Sequence, residues 1–262
     1  MILITDVISQ SSNFCWIVLD ETTYYITAFA VDSNNVVIWT QQTTITTSFW
    51  WHPSANTLAY YPLTSSTTVN DMSWNNRNWT KYWTINFSTY GWVNCAYFNG
   101  GSNYIQVPYD SWMSTNSITI SLWAKTLEYD GNRWIVYKWQ FTWQNWIYSL
   151  SNYAPNSWQN IDRRIGLTSH WATLFSWNNI WTHILVDFNW STWHVYKNWI
   201  LISTFSQSQS ISSDTNKLIL WAYWNSSYCF YWYLSNIIFE KKIRTQAEIT
   251  EYFNKTKSQY WY

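Results

Sequence analysis

The stretch that decides the fold is WTHILVDFNWSTWHVYKNWILISTF, residues 181–205. It contains three runs that are rich in β-branched and aromatic residues, at 181–188, 193–197 and 200–205. Short runs of this composition, separated by turn residues, are typical of β-strands. The stretch therefore predicts a three-stranded antiparallel meander.

The turn between the second and third runs, Asn198-Trp199, has an unusual second residue. Asn followed by Gly favours a tight hairpin because both central residues of a type I′ turn take φ > 0. A bulky residue at φ > 0 is a steric outlier, whereas Gly adopts this conformation without cost. The same mismatch recurs along the chain, since eight of its 25 Trp directly follow Asn or Ser while Gly occurs only five times in 262 residues.

We interpret many of these Trp as standing at positions that carry Gly in the natural protein. UGA is translated as Trp in some genetic codes and as Gly in a few bacterial lineages, so codon reassignment would produce this pattern. The alternative is a protein that is truly rich in Trp, and UGG codons at positions 79, 190 and 199 would establish it. On the Gly interpretation, Trp190→Gly and Trp199→Gly raise the melting temperature by relieving forced turns, each worth about 1–3 kcal/mol.

The composition excludes several classes of protein. Charged residues make up 11% of the chain and the formal net charge is zero, so we expect no nucleic-acid partner. No run approaches 18 apolar residues, and we expect no membrane insertion in this segment. The cysteines Cys15, Cys95 and Cys229 are odd in number and far apart, so each is expected to be a buried, small apolar residue.

Residues 1–48 predict a small all-β unit with strands at 24–31 and 36–47. The segment 19–28, LDETTYYITA, resembles the later strands of a fibronectin type III repeat, which implies a partial repeat in which Tyr24 or Tyr25 caps the sandwich. Residues 49–56, around Pro53, are expected to form a linker.

The remaining chain carries a series of motifs in a recognisable order. They are Tyr61-Pro-Leu63, the loop 70–80, Phe98-Asn-Gly100 followed by a short strand to Pro108, the strand 117–125, Trp181 with His183, Tyr196 to Trp199, and the strand 232–239. Together they resemble the bacterial laminin-G-like jelly roll of the concanavalin A-like lectin/glucanase superfamily over residues 57–254. The family carries Gly where this chain has Trp at 74, 79, 190, 199, 221 and 232, but Trp where it has Trp123 and Trp181.

The resemblance implies an all-β, two-sheet antiparallel jelly-roll sandwich with a short C-terminal helix. In the strand 117–125, alternation predicts that Ile118, Ile120, Leu122 and Ala124 point into the core. Thr245 and Glu248 have the spacing of a capping box and predict a helix at 246–254. Residues 255–262 are expected to form a tail.

Catalytic candidates are few. Glycoside hydrolysis needs a pair of carboxylates. Glu128 and Asp130 come closest to the required spacing. Both lie beside Gly131-Asn132 in an expected solvated turn. His183 is interpreted as a packed core residue, and His52, His170 and His194 are interpreted as isolated. No catalytic residue is therefore assigned.

A structural calcium ion is implied by the resemblance, because members of this superfamily often bind one through Asp and backbone oxygens. Asp71 matches the family's loop aspartate and is the candidate metal ligand, whereas Ser235 stands where the family has an Asp in its last strand. Several Tyr lie in expected loops, such as Tyr223 and Tyr228, but no ligand-binding residue is singled out.

The resemblance implies a non-catalytic binding or adhesion module of a modular bacterial surface or secreted protein, with a glycan or another surface protein as partner. Carbohydrate binding is the first expectation, a structural spacer in an adhesin is the second, and a glycoside hydrolase is the third. The N-terminus lacks a secretion signal, so we favour a fragment of a longer extracellular or cell-surface protein.

Overall fold

The structure is a computed structural model. It describes residues 23–31, 37–46, 54–63, 70–82, 84–90, 93–99, 103–115, 117–126, 133–139, 146–153, 160–165, 168–173, 180–189, 191–206, 218–220 and 231–260. The chain divides into two compact units, Met1–Trp51 and His52–Tyr262.

The first unit contains an antiparallel hairpin. Strand β1 (Thr23–Val31) pairs with β2 (Val37–Thr46), close to the bounds predicted from composition. The side chains of Tyr24 and Tyr25 lie outside the described part, so the fibronectin-like cap stays a prediction.

In the part of the second unit that the structure describes, most residues belong to strands. Its strands are β3 (Thr57–Tyr61), β4 (Thr80–Tyr82), β5 (Asn86–Tyr90), β6 (Val93–Asn99), β7 (Tyr104–Val107), β8 (Ser117–Thr126), β9 (Arg133–Trp139), β10 (Trp146–Tyr153), β11 (Asn160–Ile165), β12 (Thr168–Thr173), β13 (Trp181–Asn189), β14 (Thr192–Lys197), β15 (Ile200–Ser206), β16 (Leu218–Leu220) and β17 (Tyr231–Glu240). A 3-10 turn, Ser111–Ser114, precedes β8, and helix α1 (Gln246–Thr256) with a second 3-10 turn, Lys257–Tyr260, follows β17.

The strands form two antiparallel sheets. The seven-stranded sheet has the order β12-β11-β10-β9-β16-β7-β4, and the eight-stranded sheet has the order β15-β14-β13-β8-β17-β6-β5 with β3 also paired to β17. Strands distant in the chain, such as β8 and β17, are neighbours in space, as a jelly-roll connection requires. The all-β, two-sheet jelly-roll prediction is confirmed.

The apolar core lies between the two sheets. Ile118, Ile120, Leu122 and Ala124 of β8 all point into it, as their alternation predicts. From the facing sheet, Ile105 and Val107 of β7 and Leu218 and Leu220 of β16 reach the same cluster. The alternate residues Thr119, Ser121, Trp123 and Lys125 are buried too, and Trp123 stacks on Phe253 of α1 across the outer face of the sheet.

The predicted meander is found at β13, β14 and β15, with a two-residue turn between Lys197 and Ile200. Asn198 takes a φ of 52°, but Trp199 does not enter the left-handed region, so the predicted conflict at Trp199 is wrong. Asn198 suits the turn because its Oδ1 accepts a hydrogen bond of 3.0 Å from the His183 amide, and its own amide donates to the His183 carbonyl.

Helix α1 begins at the predicted capping box. Thr245 Oγ1 accepts from the Glu248 amide, and the Glu248 carboxylate accepts from the Thr245 amide. Its buried residues, Ile249, Tyr252, Phe253 and Thr256, have the spacing of one helix face. The helix runs past 254, and residues that we predicted as tail continue it into the 3-10 turn, where Tyr260 is buried.

Within the described ranges, no helix is both long enough and apolar enough to cross a membrane. Cys95 is buried in an apolar cluster as predicted, while Cys15 and Cys229 lie outside those ranges. The carboxylates Glu128 and Asp130 also lie outside them, as do Tyr223 and Tyr228, and so do His52 and the side chain of His170.

Candidate functional site

Asp71, the predicted calcium ligand, organises the loop that follows β3. Its Oδ1 accepts hydrogen bonds from the amides of Tyr60 and Ser73, both at 2.9 Å, and its Oδ2 accepts from the Ser73 hydroxyl at 2.7 Å and the Arg77 amide at 3.0 Å. A carboxylate has about four acceptor positions, and four protein donors use them. A cation would have to displace at least one donor, so calcium binding stays a prediction that this geometry does not favour.

The rest of the described chain offers no alternative metal centre. Within it, no group of three or more His, Cys, Asp or Glu side chains lies close enough to hold a metal ion. Ser235, at the position of the family's Asp, is buried and bonds instead to the Asn94 carbonyl and the Tyr260 hydroxyl.

The loop ordered by Asp71 holds one Trp in the conformation that the Gly interpretation predicts. Trp74 has a φ of 66° and is 75% exposed. In contrast, Trp79 is buried and packs edge-on against Tyr61, with ring centroids 5.8 Å apart. Trp74 therefore has a backbone conformation that Gly favours, whereas Trp79 is packed as a core residue.

His183 is a core residue, as predicted. Its ring is fully buried between Trp123 and Tyr252, and its Nε2 shares a hydrogen bond of 2.8 Å with the Ser121 hydroxyl. Burial, with a smaller contribution from the positive charge of Arg244, lowers the pKa of His183 to about 3. A neutral, enclosed imidazole of this kind supports packing and has no access to a substrate.

His194, which we interpreted as isolated, has a partner, and that interpretation is wrong. Its Nδ1 lies 2.7 Å from Oδ1 of Asp187, the residue directly opposite on β13. Burial raises the pKa of the Asp187 carboxyl, and the hydrogen bond from His194 opposes that rise. The pair was missed because the residues come together only through strand register.

Asp187 belongs to a row of polar residues that crosses the sheet. Thr119 on β8 lies opposite Asp187 and also opposite Glu240 on β17, so the two carboxylates are two strands apart on one face. Both are buried, Asp187 against His194 and Glu240 against Arg244. Both carboxylates therefore already have side-chain partners within the protein.

The outer face of the eight-stranded sheet has a covered end, where α1 and the 3-10 turn lie on it. Trp123 stacks on Tyr260 with ring centroids 3.9 Å apart and on Phe253 at 5.6 Å. Tyr260 also donates to Ser235 Oγ, and Asn236 bridges Tyr260 to Tyr60. Tyr60, Asn236, Tyr260 and Ser235 therefore form one chain of side-chain hydrogen bonds beside these rings.

The same face also carries aromatic side chains that are only half-buried, and two of them, Tyr90 and Tyr233, pack against the buried cluster that contains Trp123 and Phe253. Tyr233 lies directly opposite Lys125 on β8 and directly opposite Tyr97 on β6. The Tyr233 ring lies 5.0 Å from that of Tyr97 and 4.8 Å from that of Tyr90. We call Tyr90, Tyr97, Tyr233 and Lys125 the tyrosine platform.

The three rings of the tyrosine platform are half-buried, so part of each remains in contact with solvent. The Lys125 ammonium lies 3.8 Å from the centroid of Tyr90. Tyr combines an apolar ring with a hydroxyl that hydrogen-bonds, a combination enriched where one side of a residue meets a ligand. The platform can hold a flat, polar molecule with C–H groups on its faces, such as a sugar ring.

Sequence alone indicates one member of this group. Lys125 is the polar end of the alternating strand 117–125, which places its side chain on the face opposite the core. The three Tyr are drawn from β5, β6 and β17, and their meeting depends on pairings between distant segments.

This chain is similar to known proteins in structure but not in sequence. The chain matches no protein family and no curated protein by sequence. Among solved structures, it is similar to the binding domain of Paraclostridial Mosquitocidal Protein 1, with 17% identity and a TM-score of 0.63, over 76% of this chain and 52% of that one.

Two further structures are similar. The binding domain of botulinum neurotoxin DC in complex with SialylT has 13% identity and a TM-score of 0.61, over 79% of this chain and 52% of that one. Domain 4 of AbnA, a GH43 extracellular arabinanase from Geobacillus stearothermophilus, was solved in complex with arabinotriose. It has 18% identity and a TM-score of 0.57, over 75% of this chain and 97% of that one.

These similarities concern the fold. The chain spans about half the length of the neurotoxin binding domains that it matches and almost the whole of the arabinanase domain. Two of these structures are named as binding domains, and the third is named as a domain in complex with arabinotriose. The chain shares the sandwich fold of such binding domains.

Proposed function

We propose that the second unit is a non-catalytic carbohydrate-binding module and that the tyrosine platform is its sugar-binding surface. The observation that carries the proposal is the contrast on one sheet face. Rings under α1 are fully buried, whereas Tyr90, Tyr97 and Tyr233 keep part of their surface open to solvent.

The platform suits a sugar for chemical reasons. The face of an aromatic ring carries partial negative charge, which attracts the weakly positive C–H groups on the face of a pyranose. The two ring contacts of Tyr233 hold the neighbouring rings in place, so little side-chain freedom remains to be lost on binding. The platform is therefore already ordered before a ligand arrives.

The similar structures support this proposal in general terms. One was solved with SialylT and another with arabinotriose, so carbohydrate ligands occur among domains of this fold. By analogy, we infer that the chain acts as part of a modular, extracellular or cell-surface protein, with a laminin-G-like domain after a fibronectin-like segment. Fold analogy does not identify a site, and the proposal therefore depends on the platform itself.

A glycan array probed with the full chain tests the proposal. We expect binding to at least one class of oligosaccharide and a loss of at least tenfold in affinity for Tyr97→Ala. Tyr82→Ala is the matched control, because Tyr82 is also a half-buried tyrosine stacked on a cross-strand partner, Tyr104, but lies on the other sheet. The control should bind like the unaltered chain.

The competing function, a structural spacer in an adhesin, predicts a different result. A spacer binds no glycan on the array, and Tyr97→Ala then changes nothing beyond stability. Binding that survives Tyr97→Ala but is lost in Tyr82→Ala would place the sugar on the seven-stranded sheet and overturn the assignment of the platform.

A further inference from the structure

The charge pattern of the tyrosine platform indicates which kind of glycan it takes. Lys125 is 7% exposed, yet none of the carboxylates whose side chains the structure describes lies within ion-pair distance of it. Transferring a cation into a protein surface is costly unless a partner compensates for the lost water. The burial of the Lys125 ammonium is therefore unfavourable unless another group compensates for its charge.

The six carboxylates whose side chains the structure describes are engaged elsewhere. Four pair with cations, namely Asp110 with Arg77, Glu240 with Arg244, Glu248 with Lys242 and Glu251 with Lys255. The other two, Asp71 and Asp187, bond to loop amides and to His194. None of them lies on the platform, so the platform carries a positive charge that no described carboxylate neutralises.

Tyr90 compensates for part of this charge. A cation over an aromatic face gains about 0.5–2 kcal/mol, and the Lys125 ammonium lies in that position. An ammonium has three N–H donors, and a ring face on one side leaves donors for further acceptors, such as the oxygens of a ligand. The cross-strand partners of Lys125 are Trp181 and Tyr233, and neither carries a carboxylate.

We propose that the tyrosine platform binds an acidic glycan, one whose sugar carries a carboxylate or a sulfate. The inference rests on the proposed function and names its ligand class. The sugar face lies on Tyr97 and Tyr233, and the anionic group accepts a charge-assisted hydrogen bond from Lys125 Nζ, which is stronger than a bond between neutral groups.

The experiment compares neutral and acidic members of the same oligosaccharide series on the full chain. Lactose, sialyllactose and sulfated lactose serve as probes, alongside a neutral and an oxidised, uronate-containing polysaccharide fragment. We expect at least a tenfold preference for the acidic member of a pair, and a fall in that preference at 0.5 M salt because the contact is ionic.

Variants of Lys125 assign the preference to this side chain. Lys125→Met keeps an unbranched apolar stem of similar length and should abolish the preference, while Lys125→Arg keeps the charge and should retain most of it. Lys81→Met is the control, since Lys81 is exposed on the other sheet. Thermal unfolding of each variant shows whether it is folded, and the salt dependence of the unaltered chain tests the inference even if Lys125→Met does not fold.

The outcomes separate the two proposals. Equal binding of neutral and acidic probes at the platform overturns the acidic-glycan inference and leaves carbohydrate binding in place. An acidic preference that Lys125→Met does not alter also overturns the inference. If no probe binds, the inference and the proposed function fail together.

Discussion

The two ends of the outer face of the eight-stranded sheet use the same kinds of residue in opposite ways. At the covered end, Trp123 of the sheet stacks on Phe253 of α1 and on Tyr260 of the following 3-10 turn, and all three are buried. At the open end, the tyrosine platform has rings of similar size that remain half-buried. Tyr90 and Tyr233 pack against the covered cluster but stay half-buried.

This difference shows what an aromatic residue on a β-sheet does in this protein. Under the helix, aromatic side chains contribute to stability through burial, and the Tyr260 hydroxyl bonds to Ser235 and Asn236. Outside the helix, rings on the same face contribute less to stability and leave surface available for a ligand. A substitution at the covered end should therefore change folding, and one at the open end should change binding.

Phe253→Ala should have the largest effect on stability. Phe253 is fully buried and its ring contacts both Trp123 and Trp199. Removing a buried Phe side chain costs about 3–5 kcal/mol. Urea unfolding measures the loss, and Tyr97→Ala is the comparison at the open end, where we expect about 1 kcal/mol. Equal losses for the two variants would contradict the contrast between the ends.

The covered end should also make the fold sensitive to acid through His183. Its pKa is lowered to about 3 by burial, so between about pH 6.5 and pH 3 the unfolded chain binds more protons than the folded one. The free energy of unfolding includes the full contribution of neutral His183 above pH 6.5. This contribution falls as the pH is lowered toward 3, by at most about 5 kcal/mol.

Unfolding measured between pH 7.5 and pH 4 checks this dependence. His183→Gln removes the titrating group and should flatten the profile across that range, whatever its effect at pH 7.5. A profile that keeps the same slope in His183→Gln would show that other groups cause the acid sensitivity.

The two exposed Trp at turns, Trp74 and Trp199, should respond in opposite ways to replacement by Gly. Trp74→Gly should raise stability by about 1 kcal/mol, because it removes a side chain from the left-handed region and gives up little burial. Trp199→Gly should lower it, since Trp199 has no positive φ and its ring lies 4.4 Å from that of Phe253. Melting temperatures compare the two, and a stabilising Trp199→Gly would contradict the account of the turn.

The smallest expected effect is that of a chelator. The oxygens of Asp71 accept four protein hydrogen bonds, so we expect the melting temperature to be unchanged when EDTA is added. A fall that added calcium reverses would show that a cation replaces some of these donors.

Local signals predict most of the fold. Alternation along 117–125 gives the inward residues of β8, and the Thr245–Glu248 spacing gives the start of α1, because both depend on neighbours in sequence. The meander at 181–205 is predicted for the same reason. Turn chemistry at Asn198 is predicted in part, since the positive φ falls on Asn198 alone.

The candidate site could not be predicted in this way. Tyr97 and Tyr233 become neighbours through the pairing of β6 with β17, and Asp187 meets His194 through the register of β13 and β14. A shift of one residue would send each side chain to the other face, and sequence spacing does not fix register between distant strands. Trp79 is a similar case, because its burial depends on Tyr61 and Phe87 from other segments.

The most direct test is an NMR titration of the full chain, with isotope-labelled tyrosine rings, using sialyllactose or the acidic probe that binds best on the array. The account predicts that the ring signals of Tyr90, Tyr97 and Tyr233 shift with a common saturation curve while those of Tyr82 and Tyr104 stay in place. Saturable binding that shifts Tyr82 and Tyr104 and leaves the tyrosine platform unchanged would contradict it.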